Sequence, residues 1–204
     1  VFRNGIDLER FHPEDPAIAR QNLGLPSDDT ILLSVGHLVE RKGHHIAIEA
    51  LSILQENTFL VIAGSGPERR PLEELTRRLG VADKVRFTGQ LPNNELRSWY
   101  SAASALVLRS SREGWANVLL ESMACGTPVI ASNIWGTPEV VSCDTAGRLM
   151  KDRTAQALAN EVANLLSHPP ERAAVRKFAE NFSWDETSFA QRALFESIAS
   201  AKCS

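Results

Sequence analysis

Few cysteines, no clustered acids, no surplus of basic charge and no long apolar run: each shortage in this 204-residue chain removes a class of function. Three cysteines, Cys125, Cys143 and Cys203, are too few and too scattered for a disulfide framework or a zinc site, and they fit a reducing compartment. No Asp-x-Asp occurs, so a magnesium or manganese site of clustered carboxylates is not expected, nor is any cofactor. With 22 Lys and Arg against 25 Asp and Glu, a formal charge of -3, nothing offers the extended basic footprint that a nucleic acid needs. The longest apolar runs, at 31–35 and 59–63, fall far short of the roughly 20 residues that span a bilayer, so no transmembrane segment is expected. The chain starts at Val1 without an initiator Met or an apolar leader, and is expected to be a piece of something longer.

What is present is an ordinary globular composition, 43% hydrophobic and 23% charged, long enough to bury one sizeable core. Short β-rich apolar runs recur at 31–36, 58–63, 85–88, 105–108, 128–131 and 147–149. Between them apolar residues fall at helical spacing, as in Ile46, Ala47, Ala50, Leu51 and Leu54, or Leu72, Leu75 and Leu79. Strands that read as unbroken apolar runs are buried on both faces, and strand–helix alternation of this length builds a parallel sheet. The fold class is therefore α/β, a doubly wound, Rossmann-like parallel sheet. From 154 the strands stop, and helices expected at 155–166, 171–182 and 184–199 form a helical tail broken at His168-Pro169-Pro170. Gly80 and Gly126 read as helix stops, Asn93 and Thr154 as N-caps, and Pro71 and Pro138 as residues near helix starts.

In open parallel sheets ligands bind beyond the carboxyl ends of the strands, so the loops there are the place to look for chemistry. After the first strand, Gly36 and His37 open a loop that closes on Arg41-Lys42-Gly43. Its glycines allow close backbone approach and its cations suit an anion, although a solvated basic loop reads the same way. After the second strand, Gly64-Ser65-Gly66-Pro67 begins like a dinucleotide fingerprint but has Arg69 at the third glycine position. A tight strand-to-helix turn explains it without a ligand, and a nicotinamide-dependent oxidoreductase is disfavoured.

The strongest signal is a pair of carboxylates eight residues apart, Glu113 and Glu121, joined by Gly114-Trp115-Ala116-Asn117-Val118-Leu119-Leu120. A helix starting near Ala116 leaves Glu113 in the preceding loop and puts Glu121 in the second turn, among residues that are nearly all apolar. Burying that carboxylate costs several kcal/mol unless donors satisfy it; ligand hydroxyls, an internal Arg and a backbone amide are all candidates. The free N–H groups of the first turn, at about Trp115 to Val118, suit an anion. Trp115 and Trp135 could flank a base or a sugar, while Trp99 and Tyr100 read as core. His12, His44, His45 and His168 lack ligand-like spacing and read as structural or exposed.

Taken together these residues resemble the nucleotide-sugar half of the retaining glycosyltransferases of the GT-B fold, the group also called glycosyltransferase group 1 or family four. The resemblance rests on Asn4-Gly5-Ile6-Asp7, Val35-Gly36-His37-Leu38, Ala63-Gly64-Ser65-Gly66-Pro67-Glu68, Phe87-Thr88-Gly89-Gln90-Leu91-Pro92, the glutamate pair, Ala124-Cys125-Gly126-Thr127-Pro128 and Gly136-Thr137-Pro138-Glu139. It implies that Glu113 meets the transferred sugar, Glu121 the ribose hydroxyls and Lys42 the diphosphate, with Glu113 and Lys42 as the catalytic residues. Gly36, His37 and Gly64 would line the donor pocket, the amides of Gly114, Trp115, Ala116 and Asn117 would meet phosphate or sugar, and Gln90 and Leu91 would lie beside the base. The nucleotide-sugar is then a substrate, and neither cofactor nor metal is required.

The resemblance further implies one donor-binding domain over residues 1–204, with 1–30 a lead-in from an interdomain linker and 154–204 the tail. The implied partner is an N-terminal acceptor domain of the parent chain, cytoplasmic and peripheral to a membrane if the acceptor is a lipid. His37 stands where the family usually has Arg, Arg109 where it has Pro, and Trp115-Ala116-Asn117 where it has Phe-Gly-Leu. A non-catalytic nucleotide-binding or partner-docking module of the same fold is the alternative.

Overall fold

The computed structural model describes residues 4–201, which leaves Cys203 outside the described residues. Among these, β1 (Thr30–Val35), β2 (Thr58–Ala63), β3 (Val85–Gly89), β4 (Ala105–Leu108), β5 (Val129–Ser132) and β6 (Gly147–Met150) form one sheet in the order β3-β2-β1-β4-β5-β6. Every pairing is parallel; β1 aligns Leu32 with Leu60 of β2 on one side and with Ala105 of β4 on the other. Unbroken apolar strands demand cover on both faces, and alternate residues separate into two cores accordingly. Leu32, Leu60, Ile62, Val107 and Ile130 pack under α2 (His44–Leu51), α3 (Arg69–Arg78) and α7 (Ala155–Ser167). Ile31, Leu33, Val61, Leu106 and Val129 pack under α4 (Asn93–Ala102), α5 (Asn117–Ala124) and α8 (Arg172–Ala179), with α1 (Pro16–Leu23) against α4. Each such fully buried Leu, Ile or Val contributes about 1.5–3 kcal/mol, so these two layers dominate stability.

Local chemistry sets most of the boundaries. Asp15 accepts from the amides of Ala17 and Ile18 to start α1, and Gly24 at φ 59° ends it. Thr154 caps α7 by accepting from Ala157, as its position in the sequence predicts. Asn93 does not cap: it is the first residue of α4, and Pro92 holds the extended cap position with no side-chain bond. The expected helix over 171–182 is shorter, because α8 ends at Ala179 and the chain turns, with Phe182 N–H donating to Ala179 at 3.0 Å. That turn receives the start of the chain: Ile6 pairs with Ser183 and donates to the Phe182 carbonyl at 2.8 Å. Arg176 fastens the same segment by donating to the carbonyls of Phe11 and Ala124 at 2.6 and 2.9 Å. Residues 4–30 are therefore packed into the domain. After β5 comes the short α6 (Thr137–Val140), and α9 (Trp184–Ala201) closes the described chain.

The strand order fixes where a ligand can sit. Chain succession runs from β1 outward to β2 and β3, then jumps back to β4 on the other side of β1, so the loops after β1 and β4 diverge. Divergence at such a switch point opens a crevice beyond the strand ends.

Candidate functional site

On the β1 side the crevice is a cleft of about 230 Å³ lined by Val35, Gly36, His37, Ala63, Gly64, Ser65, Gln90, Leu91 and Leu96. Five of the expected site residues, Gly36, His37, Gly64, Gln90 and Leu91, thus share one wall. The wall exists because the loops after β1 and β2 touch backbone to backbone: Leu38 N–H donates to Ser65 at 2.8 Å and Glu68 N–H to Leu38 at 3.0 Å. Gly64, at φ 152°, lets them meet, since a Cβ there would overlap the Gly36 carbonyl oxygen. The glycines after β2 therefore serve close approach between loops. Arg69, at the position where a dinucleotide fingerprint has glycine, lies over the Phe87 ring at 4.4 Å and bonds Glu73 at 2.5 Å.

From Gly36 the wall continues to charge. The Lys42 side chain passes over Gly36, where a Cβ would sit 3.6 Å from Lys42 Cδ, and its ammonium pairs with Glu113 Oε1. The same Oε1 accepts from Ser110 Oγ at 2.7 Å. Both partners are largely shielded, with side chains 16% and 11% exposed. A cation from the β1 loop and a carboxylate from the β4 loop thus meet across the switch point. Arg41 does not reinforce Lys42 here: it lines a separate cleft with His45, Glu49 and Arg153. His37 is exposed, and its carbonyl lies 3.3 Å from His44 Nε2.

Beyond Glu113, Gly114 lies exposed and Ala116 is buried at the N-cap of α5. Trp115 packs against Phe182 at 6.4 Å, and its indole Nε1 is buried with no hydrogen-bond partner among the described residues. Asn117 accepts from Asn4 Nδ2 at 3.1 Å. Trp135 stands at the rim, 66% exposed at φ 46°, with the Arg112 guanidinium 5.2 Å from its ring.

Glu121 does not line the cleft. It lies in the second turn of α5 as expected, and burial raises its pKa, while a Tyr100 hydrogen bond and the Arg10 charge lower it. Its Oε2 accepts from Tyr100 Oη at 2.7 Å. The partner is thus neither an internal Arg nor a backbone amide. Tyr100 is core, as read from the sequence, yet it also touches a candidate site residue, and no spacing rule signals a contact between two different helices. Arg109 is fully buried, donating from Nε to the Gly43 carbonyl at 3.2 Å, while both terminal nitrogens have no hydrogen-bond partner among the described residues. Burial, aided by Arg153, lowers its pKa to about 9. Among the described residues no group of three or more His, Cys, Asp or Glu is placed to hold a metal ion, and no helix is long and apolar enough to cross a membrane.

Comparison with known proteins gives this geometry a family. A D-inositol 3-phosphate glycosyltransferase of Catenulispora acidiphila is 36% identical over 91% of this chain and 47% of its own. Sucrose-phosphate synthase from Thermosynechococcus elongatus superposes with a TM-score of 0.84 at 32% identity, over 97% of this chain and 52% of that one. The C-terminal domain of a glycosyl transferase group 1 family protein from Francisella tularensis matches over 94% of its length, with a TM-score of 0.71 at 26% identity. The chain therefore spans about half the length of the curated relatives it matches, and nearly all of an isolated C-terminal domain. With the model of glycosyl transferases group 1 matching residues 16–182, this chain belongs to that family and is one Rossmann-like half of a GT-B fold.

Proposed function

We propose that this chain is the donor half of a retaining glycosyltransferase, binding a nucleotide-diphosphate sugar beyond β1 and β4 for transfer to an acceptor held by the rest of the parent protein. The observation that carries the reading is the meeting of Lys42 with Glu113 and Ser110 beside the cleft of Gly36, Gly64 and Gln90. On donor binding the pair exchanges partners, with Lys42 taking diphosphate oxygens and Glu113 taking sugar hydroxyls. Gln90 and Leu91 border the base, and Glu121 accepts ribose hydroxyls.

During transfer the bond from the anomeric carbon to the diphosphate oxygen breaks and the electron pair leaves with the diphosphate. The acceptor oxygen bonds that carbon on the same face and gives its proton to the departing diphosphate oxygen. Charge growing on the leaving group is met by Lys42 and by the amides around Gly114 to Asn117, without a metal. Relatives named as a glycosyltransferase and as a sucrose-phosphate synthase support sugar transfer.

Calorimetric titration of the chain with UDP, GDP and ADP tests the reading. One base is expected to bind best, Lys42→Met to weaken it about tenfold or more, and the chain alone to give no transfer. Failure of all three nucleotides to bind contradicts the reading.

A further inference from the structure

Glu121 presents two oxygens, and one of them is already taken. Tyr100 is fully buried on α4, one turn beyond the cleft residue Leu96, and its hydroxyl holds Glu121 Oε2 at 2.7 Å. Among the described residues Oε1 accepts no hydrogen bond. Tyr100 has no room to swing away: it is wholly enclosed and its ring meets Phe11 edge-on at 6.1 Å. Phenylalanine would fill the same volume, so the hydroxyl matters for what it donates to, and a buried phenol requires such a partner.

We propose that Tyr100 is a positioning residue of the nucleotide site: by holding Glu121 Oε2 it leaves Oε1 for the ribose hydroxyls and sets a preference for ribose over deoxyribose. This rests on the donor reading above. Three groups act on the carboxylate: Tyr100 from α4 by its hydrogen bond, and through space Arg10 from the lead-in and the Cys125 thiol just past the end of α5. Burial pushes that thiol up to about 12, so it is neutral at pH 7, and burial beside Glu121 holds Tyr100 well above 10, so it remains a donor. The Tyr100 bond favours the ionised carboxylate against its burial. Ribose hydroxyls donate to that ionised form, so affinity falls as pH drops through the Glu121 pKa. Without the phenol the fall begins at higher pH.

Tyr100 is the single tyrosine of the chain, which makes the test specific. In protein labelled at the tyrosine ζ carbon, its one resonance should step as Glu121 titrates, above pH 4.5, and Glu121→Gln should abolish the step. In parallel, whichever of UDP, GDP and ADP binds best is titrated against its 2′-deoxy counterpart across pH 5–8. Wild type should prefer the ribonucleotide, and Tyr100→Phe should cut that preference about tenfold and move the pH midpoint of binding upward. Glu121→Gln, which removes the charge and turns one of the two acceptor oxygens into an amide donor, should weaken the preference too; if Tyr100→Phe fails to melt cooperatively the tyrosine resonance decides, and a resonance that does not step with Glu121 overturns the role of Tyr100. A variant that binds with unchanged preference and midpoint overturns the role of Tyr100 and leaves the donor reading standing. No nucleotide binding by wild type overturns both.

Discussion

His44 is 3% exposed at the first position of α2, its Nδ1 2.9 Å from Ser34 Oγ. Burial, followed by the charge of Arg109, lowers its pKa from 6.5 to about 4. The folded state therefore refuses a proton that the unfolded chain accepts. This contribution to stability is complete above pH 6.5 and is lost as pH falls toward 4. Replacing His44 with Gln removes the titration, so the stability of wild type relative to His44→Gln should fall by about 3 kcal/mol between pH 7 and pH 4 in urea unfolding. A flat difference would mean that His44 takes a proton in the fold as readily as in the unfolded chain. The sequence reads this histidine as structural or exposed because nothing at ligand spacing accompanies it, and the fold buries it. Tyr100 is half legible: an apolar helical phase marks it as core, but its bond to Glu121 arises from how α4 packs on α5.

The strands were the most legible elements, since a run such as 59–63 has no polar residue to turn toward water and reads as buried on both faces. Helix ends were less so. Pro92 takes the cap position that Asn93 suggests, and α8 stops three residues before Phe182 because that turn binds the start of the chain, a contact over more than 170 residues. The Lys42–Glu113 pair was legible as two candidates but not as a pair, because only the order β2-β1-β4 brings their loops together. The loops after β1 and β2 carry an element-level prediction. Gly64→Ala forces a Cβ against the Gly36 carbonyl at a φ that side chains rarely adopt. A cost of about 3 kcal/mol should lower Tm by about 10 °C, with nucleotide affinity reduced in whatever remains folded. An unchanged Tm would show that the two loops do not need their close approach.

At the scale of the molecule, two apolar cores hold a rigid sheet whose only diverging loops, among the described residues, lie at the β1–β4 switch point. On the donor reading this crevice holds the nucleotide end of the donor. Hydrogen exchange with and without the best-binding nucleoside diphosphate maps it directly, because amides in exposed loops open locally and are protected when a ligand orders them. Slowed exchange is expected at 36–43, 64–66, 89–91 and 113–117, with α2, α3 and α7 unchanged. Protection confined to the cleft of Arg41, His45, Glu49 and Arg153, or spread evenly over the chain, would contradict it.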